Sequence, residues 1–130
     1  MKKMIVILVV FALTVCAMAC EIVFVNKFYT ELQADLEEIA ASISDNEENV
    51  DNAYTVSLCD ELTDRWEKGK RTLLMLQNHN TVRGLDDKII SLAAVIKSNN
   101  YNDAVIFAYS AINYIDDVLL DSVPYLSNLL

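Results

Sequence analysis

The pattern of apolar and polar positions divides the chain into one long apolar run and a more polar remainder. Residues 4–20 are apolar except for Thr14, and after Glu21 the apolar residues resume at residues 22–25. As one helix, residues 4–25 would be about 33 Å long, enough to cross the hydrocarbon core of a bilayer. Glu21 would lie roughly 6 Å from the far end, where a carboxylate reaches the interface.

The flanks of the apolar run leave three interpretations open. Lys2 and Lys3 precede it, so the positive-inside rule places the N-terminus in the cytoplasm and exports the rest. The run is an uncleaved signal-anchor, a signal peptide cleaved near Ala19 after an A-x-A pattern, or a lipoprotein signal acylated at Cys20. The anchor is favoured because the apolar pattern continues past the cleavage site. We therefore expect residues 1–25 to be a transmembrane signal-anchor and residues 26–130 an exported helical domain.

Two helical stretches follow the run, because apolar residues recur at three- and four-residue steps. The first stripe is in phase with Val25, so this helix should continue directly from the membrane segment. A polar, acidic turn over residues 44–49 separates it from a second helix from about Val50 to Gln77, which should bend or weaken at Gly69. The stripes comprise Phe28, Leu32, Leu36, Ile39 and Ile43, then Tyr54, Leu58, Leu62, Trp66, Leu73 and Leu76.

Two further helices are predicted after a turn at residues 78–81, in which Asn80 or Thr81 is the expected N-cap. The fourth helix should begin near residues 102–103 and stop at Pro124, after which apolar residues 125–130 fold back onto the bundle. Residues 50–53 resemble residues 101–104, which supports two antiparallel hairpins. The expected fold is all-α: an N-terminal transmembrane helix and a small antiparallel four-helix bundle. The stripes comprise Val82, Leu85, Ile89, Leu92 and Ile96, then Ala104, Ala108, Ile112, Ile115 and Leu119.

Composition and charge narrow the function. The 130 residues have a net charge of −9 and are 54% apolar, and residues 26–130 alone have eight basic and eighteen acidic side chains. This acidic balance argues against nucleic acid as a partner, which needs a basic face. Cys59 is the only cysteine after residue 25, which excludes a disulfide framework in the exported part. Its stability must come from packing or from a partner.

Single residues that could support chemistry have simpler structural interpretations. His79 is the only histidine and cannot form a multi-histidine metal site, so we interpret it as a surface or capping residue. Cys59 is interpreted as a buried thiol and Trp66 as a core residue. We therefore expect no catalytic, cofactor-binding or metal-binding residues and no cofactor.

Two charged features remain open. Asp45, Glu47, Asn49 and Asp51 alternate like the ligands of a calcium loop, but Val50 replaces the glycine that such a loop needs and Val56 its final glutamate. Weak attraction of divalent cations to this turn is an alternative. The fourth helix has an acidic patch and the second helix a basic patch. If the two patches face each other, they set the register of the hairpins; otherwise they form a docking surface. These patches are Asp116, Asp117 and Asp121, and Arg65, Lys68, Lys70 and Arg71.

The order of these features resembles that of a known family. Its marks are Glu21 and Val25-Asn26-Lys27, then Trp66-Glu67, Lys70, Leu73, Leu76 and Asn78-His79, then Ala104 and the C-terminal residues 126–130. The pattern resembles the uncharacterised family called domain of unknown function 4363, of Gram-positive, Clostridia-like bacteria. An acidic residue expected soon after the histidine is replaced here by Thr81-Val82-Arg83. The resemblance implies a membrane-anchored helical protein and supplies no activity.

Together these observations predict a non-enzymatic protein with an interaction or scaffold role at the cell envelope. The expected partners are the membrane, through residues 4–25, and an unidentified protein. The alternative is a ligand- or divalent-cation-binding module that uses the acidic turn or a cleft between the hairpins.

Overall fold

Four α-helices joined by short turns make up the part of the chain that the computed structural model describes, residues 1–122. The helices are α1 (Lys2–Asp45), α2 (Ala53–Leu76), α3 (His79–Lys97) and α4 (Tyr101–Ser122), and no strand occurs within this range. The all-α prediction is therefore confirmed. Pro124 and residues 125–130 lie outside the described residues, so their roles in ending α4 and in folding back stay predictions.

Helix α1 is continuous from the apolar run into the domain, as its phase at Val25 predicts. It has 44 residues and contains neither glycine nor proline, which would interrupt it. It is long and apolar enough to cross a membrane, and the other residues among 1–122 bury none of its apolar window. A signal sequence near an N-terminus has the same character. Burial begins at Val25 and continues along one stripe to Ile43.

The four helices form an antiparallel, up-down-up-down bundle. Each helix packs on the next one in the chain, and α4 closes the ring against α1, whereas the diagonal pairs are not neighbours within residues 1–122. The loops at residues 46–52 and 98–100 lie at one end, which we call the distal end. The α2–α3 turn lies at the other end, where α1 leaves the bundle, and we call this the proximal end.

The core is built from one stripe of each helix, and α4 contributes the smallest side chains. The stripes predicted for α1, α3 and α4 are the buried ones, apart from Leu119, which is half-buried. Ala104, Ala108 and Ala111 are fully buried, so the backbone of α4 lies close to its neighbours. Small residues at such positions allow helices to approach closely because no long side chain separates them.

The predicted stripe of α2 is partly wrong. Tyr54 is 59% exposed and Leu58 is only half-buried, while Thr55 and Cys59 are buried instead. Steps of four residues drift about 40° around a helix at each step, so the predicted series leaves the core-facing side. The actual stripe alternates steps of four and three residues, through Thr55, Cys59, Leu62, Trp66, Gly69 and Leu73.

The helix ends differ from the prediction by a few residues. Helix α3 begins at His79, so the turn between α2 and α3 consists of Gln77 and Asn78 alone. Asn78 is the N-cap, because its side chain accepts a 2.8 Å hydrogen bond from the Asn80 backbone N–H. The predicted cap at Asn80 or Thr81 is therefore wrong. Asn78 and Asn80 are both residues of a type that caps helices. Asn78 is the N-cap because the turn contains only two residues and α3 begins directly after it.

Gly69 does not interrupt α2, which is one continuous helix over Ala53–Leu76. Its function is close packing, since a Cβ atom at this position would overlap the ring of Phe28 on α1. The Phe28 ring also lies 6.2 Å from the Trp66 ring and 6.1 Å from the Tyr29 ring, centroid to centroid. Gly69 thus admits an aromatic cluster between α1 and α2.

Candidate functional site

The polar cluster between α2 and α3 is centred on Trp66. This side chain is fully buried, as predicted, and its indole N–H donates a 2.7 Å hydrogen bond to Asp86 on α3. The Lys70 ammonium lies 3.3 Å from the same Asp86 oxygen and 3.3 Å from Glu67. Burial alone would lower the pKa of Lys70, but the bonds to the two carboxylates outweigh it and raise that pKa. The cluster joins two helices and leaves Lys70 charged.

The basic run of α2 and the acidic patch of α4 do not face each other. Helices α2 and α4 are diagonal in the bundle, so the hypothesis that these patches set the hairpin register is wrong. Arg65 instead bridges Glu31 and Asp35 on α1, at 2.8 Å from each carboxylate. On α4, Asp116 accepts a hydrogen bond from Gln33 of α1. Arg65 therefore links α1 and α2 at the surface of the bundle.

The acidic turn is tied to the loop between α3 and α4. The Val50 backbone N–H donates to the Asn99 side chain at 2.9 Å, and the same carboxamide donates to the Glu48 carbonyl at 3.3 Å. The Tyr101 hydroxyl donates to Glu47 at 3.4 Å. Within residues 1–122, no three histidine, cysteine, aspartate or glutamate side chains lie close enough together to hold a metal ion. The turn thus connects the two hairpins at the distal end.

The lone histidine and the cysteine of the bundle lie in different surroundings. His79 is exposed as the first residue of α3, in agreement with its interpretation as a surface residue. Cys59 is buried in α2, and burial raises the pKa of its thiol to about 11. A thiol with a raised pKa has little of the nucleophilic thiolate at neutral pH, so Cys59 is a core residue.

The cations of the bundle divide into paired and unpaired sets. Arg65, Lys68, Lys70 and Lys97 form ion pairs, and Lys88 donates to Ser110 at 2.7 Å. Three others are exposed and have no acidic partner among the residues described. This unpaired set lies on three different helices and comprises Lys27, Arg71 and Arg83.

Charge is distributed unevenly along the bundle. Arg65 contacts Glu31 and Lys88 contacts Ser110, so the residues of each pair lie at the same height along the bundle axis. We use this height to divide the bundle into two halves. The distal half, residues 34–64 and 89–110, has eleven acidic side chains and one basic side chain. The proximal half, residues 26–33, 65–88 and 111–122, has seven of each. The net charge of −10 that residues 26–122 carry therefore belongs entirely to the distal half.

The α2–α3 turn lies beside the last turns of the apolar run. The Tyr29 hydroxyl of α1 donates a 2.6 Å hydrogen bond to the Gln77 side chain, which fixes the turn against α1. A shallow cavity of about 160 Å³ separates the two elements, lined by Glu21, Ile22, Val25, Asn26, Leu76 and Gln77. The proximal end of the bundle is thus level with residues 21–26.

Comparison with known proteins adds one finding. The family model described as "Domain of unknown function (DUF4363)" matches residues 20–129. The chain belongs to the DUF4363 family. The match covers all four helices of the bundle and the last turn and a half of the apolar run, so the resemblance noted in the sequence is confirmed. Neither the curated proteins nor the solved structures contain a significant match.

The DUF4363 description assigns no activity, so the function must be argued from the geometry. Sequence reasoning missed Asp86 and Asn99, each of which joins two helices or loops. It also missed Gly84, where a Cβ atom would overlap the Tyr114 hydroxyl that donates to the Thr81 carbonyl. No spacing rule points to these residues, because their partners are distant in sequence.

Proposed function

We propose that this DUF4363 protein is a single-pass membrane protein with a non-enzymatic interaction or scaffold role. In this proposal, α1 crosses the cytoplasmic membrane and presents the bundle on its outer face. The single observation that supports it most is the continuity of α1, whose exposed apolar first half runs without a break into the buried stripe of the bundle. A helix that is apolar on all sides is stable in lipid and costly in water.

The exposed apolar residues beyond Ala19 favour the uncleaved anchor. Val23 is 65% exposed, and Ile22 and Phe24 are also exposed. A chain cleaved near Ala19 would leave these side chains in water at its new end, whereas an intact α1 places them in or near the bilayer. Lys2 and Lys3 support a cytoplasmic N-terminus by the positive-inside rule.

The interaction role is supported by an exposed groove between α3 and α4. Its volume is about 480 Å³, and Ile106 and Tyr109 line it beside Lys88. Ile106 is 62% exposed and Tyr109 is 51% exposed, although both are large apolar side chains. Exposed aromatic and aliphatic residues next to a charge are typical of surfaces that bind proteins.

Photo-crosslinking in intact cells tests this role. A photoreactive amino acid replaces Tyr109 in the groove, and the matched control replaces Tyr54, which is comparably exposed on α2. We expect a crosslink from position 109 to one specific protein, and none to that protein from position 54. Crosslinks from position 109 only to the same chain, or equal products from both positions, would contradict the interaction role.

A further inference from the structure

We infer that the proximal end of the bundle is a lipid-binding surface, on which Lys27, Arg71 and Arg83 bind the phosphate groups of the outer leaflet. Met75 enters the interface beside them. This inference rests on the proposed membrane anchor and adds a second contact with the same bilayer. Without it, the bundle would be attached to the membrane by α1 alone.

The depth of the α2–α3 turn follows from the length of α1. A hydrocarbon core about 30 Å thick takes up about 20 helical residues, so a span that begins at Met4 ends near Val23. The turn at Gln77 is level with residues 21–26, as the shared cavity and the Tyr29–Gln77 hydrogen bond show. The turn therefore lies at the depth of the lipid headgroups.

The side chains around this level have the chemistry that a headgroup layer requires. The three unpaired cations of the bundle all lie in the proximal half, on α1, α2 and α3. Met75 follows Arg71 by one helical turn, is nearer to the membrane and is 76% exposed. On this face of α2 the apolar side chain is nearer to the membrane and the arginine is farther from it. A bilayer has the same order, with acyl chains inside and phosphates outside them.

The opposite end of the bundle favours the same orientation. The distal half has a net charge of −10 and a single lysine, so anionic lipids repel it. A bundle lying on its side would bring this acidic half towards the membrane. The proximal half has no net charge and is therefore not repelled, and it is also the half from which α1 continues into the bilayer.

Spin-label accessibility of the full chain in lipid nanodiscs tests the inference. In a Cys16→Ala, Cys20→Ala background, labels are placed by Met75→Cys, by Tyr54→Cys as the water-exposed control, and by Leu13→Cys within the anchor. The nanodiscs contain phosphatidylcholine with phosphatidylglycerol. We expect oxygen to reach the label at position 75 better than a water-soluble nickel chelate does, and the reverse at position 54.

Substitution of the cations tests their part. Arg71→Gln with Arg83→Gln should lower the oxygen-to-nickel ratio at position 75 towards that at position 54. The matched control, Lys68→Gln with Lys97→Gln, removes the same charge from side chains that already have acidic partners and should leave the ratio unchanged. Equal effects of both pairs would overturn the role assigned to the cations.

The label at position 13 separates failure of the inference from failure of the anchor. If this label is in lipid while position 75 is as exposed to water as position 54, the lipid-binding surface is refuted and the anchor stands. If position 13 is itself in water, the anchor is refuted and the inference with it.

Discussion

At Gly69, a missing side chain makes room for the Phe28 ring, which packs between α1 and α2. A Gly→Ala change in a helix would otherwise stabilise the protein by about 1 kcal/mol. Here the new methyl group must displace an aromatic ring in a packed cluster, which costs about 1–3 kcal/mol. The overlap should dominate because the ring has Tyr29 and Trp66 as neighbours.

We therefore expect Gly69→Ala to lower the free energy of unfolding of the bundle by up to about 2 kcal/mol, the overlap less the helix-propensity gain. In a Phe28→Ala background, where the ring is absent, the same change should stabilise the protein. Urea unfolding of the four chains of this double-mutant cycle, in one detergent, measures both effects. If Gly69→Ala has the same sign and size in both backgrounds, the proposed contact does not explain the glycine.

Asp86 is the second residue whose contact decides local stability. Asp86→Ala leaves the buried indole N–H of Trp66 without an acceptor, and it removes a partner of Lys70. An unsatisfied buried donor costs about 1–3 kcal/mol, so we expect a loss of that size in urea unfolding. Asp86→Asn keeps an acceptor and should lose less. Asp87→Ala, at the exposed neighbouring position, is the control and should change stability by less than about 0.5 kcal/mol.

At the scale of elements, Asn99 ends α3 and connects the two hairpins. It has a positive φ of 54°, and the N–H groups of Asn99 and Asn100 donate to the carbonyls of Ile96 and Val95. This is a Schellman motif, in which the left-handed residue is usually glycine or asparagine. The structure explains why asparagine is present, because only its side chain can also bind Val50 and Glu48.

Two substitutions separate the backbone effect from the bridge. Asn99→Gly retains the left-handed conformation and loses the bridge, so we expect a loss of about 1 kcal/mol in urea unfolding. Asn99→Ala loses the bridge and also strains the backbone, which adds about 1–2 kcal/mol. A glycine variant as stable as the wild type would show that the loops do not depend on this bridge.

The helices could be predicted from the sequence where the spacing of residues within one helix is sufficient. The continuity of α1 and the buried stripe of α3 follow from helical periodicity, which needs no knowledge of the partner helices. The pattern misplaces the stripe of α2 because a four-residue step is close to the helical period over short distances. The Trp66–Asp86 and Arg65–Glu31 contacts could not be predicted, since they depend on which helices are neighbours in the ring.

At the scale of the whole molecule, hydrophobicity and charge are both arranged along α1. The apolar run occupies its first half, a neutral half-bundle with unpaired cations follows, and an acidic half-bundle lies farthest away. The net charge of −9 and the 54% apolar share describe no single part of the chain. This order matches the sequence of environments that a protein meets on passing from acyl chains to headgroups to water.

The central claim is that an uncleaved α1 crosses the membrane and presents the bundle outside the cell membrane. Its most direct test is a membrane-impermeant maleimide, applied to intact cells that express the full chain with Tyr54→Cys in a Cys16→Ala, Cys20→Ala background, followed by mass spectrometry of the intact protein. The mass of the unlabelled wild-type chain is measured in parallel, because Cys20→Ala would itself prevent acylation at this position. The account predicts one label added before lysis to a membrane-bound chain that retains residues 1–19. A label added only after lysis, or a labelled chain that lacks residues 1–19, would contradict it.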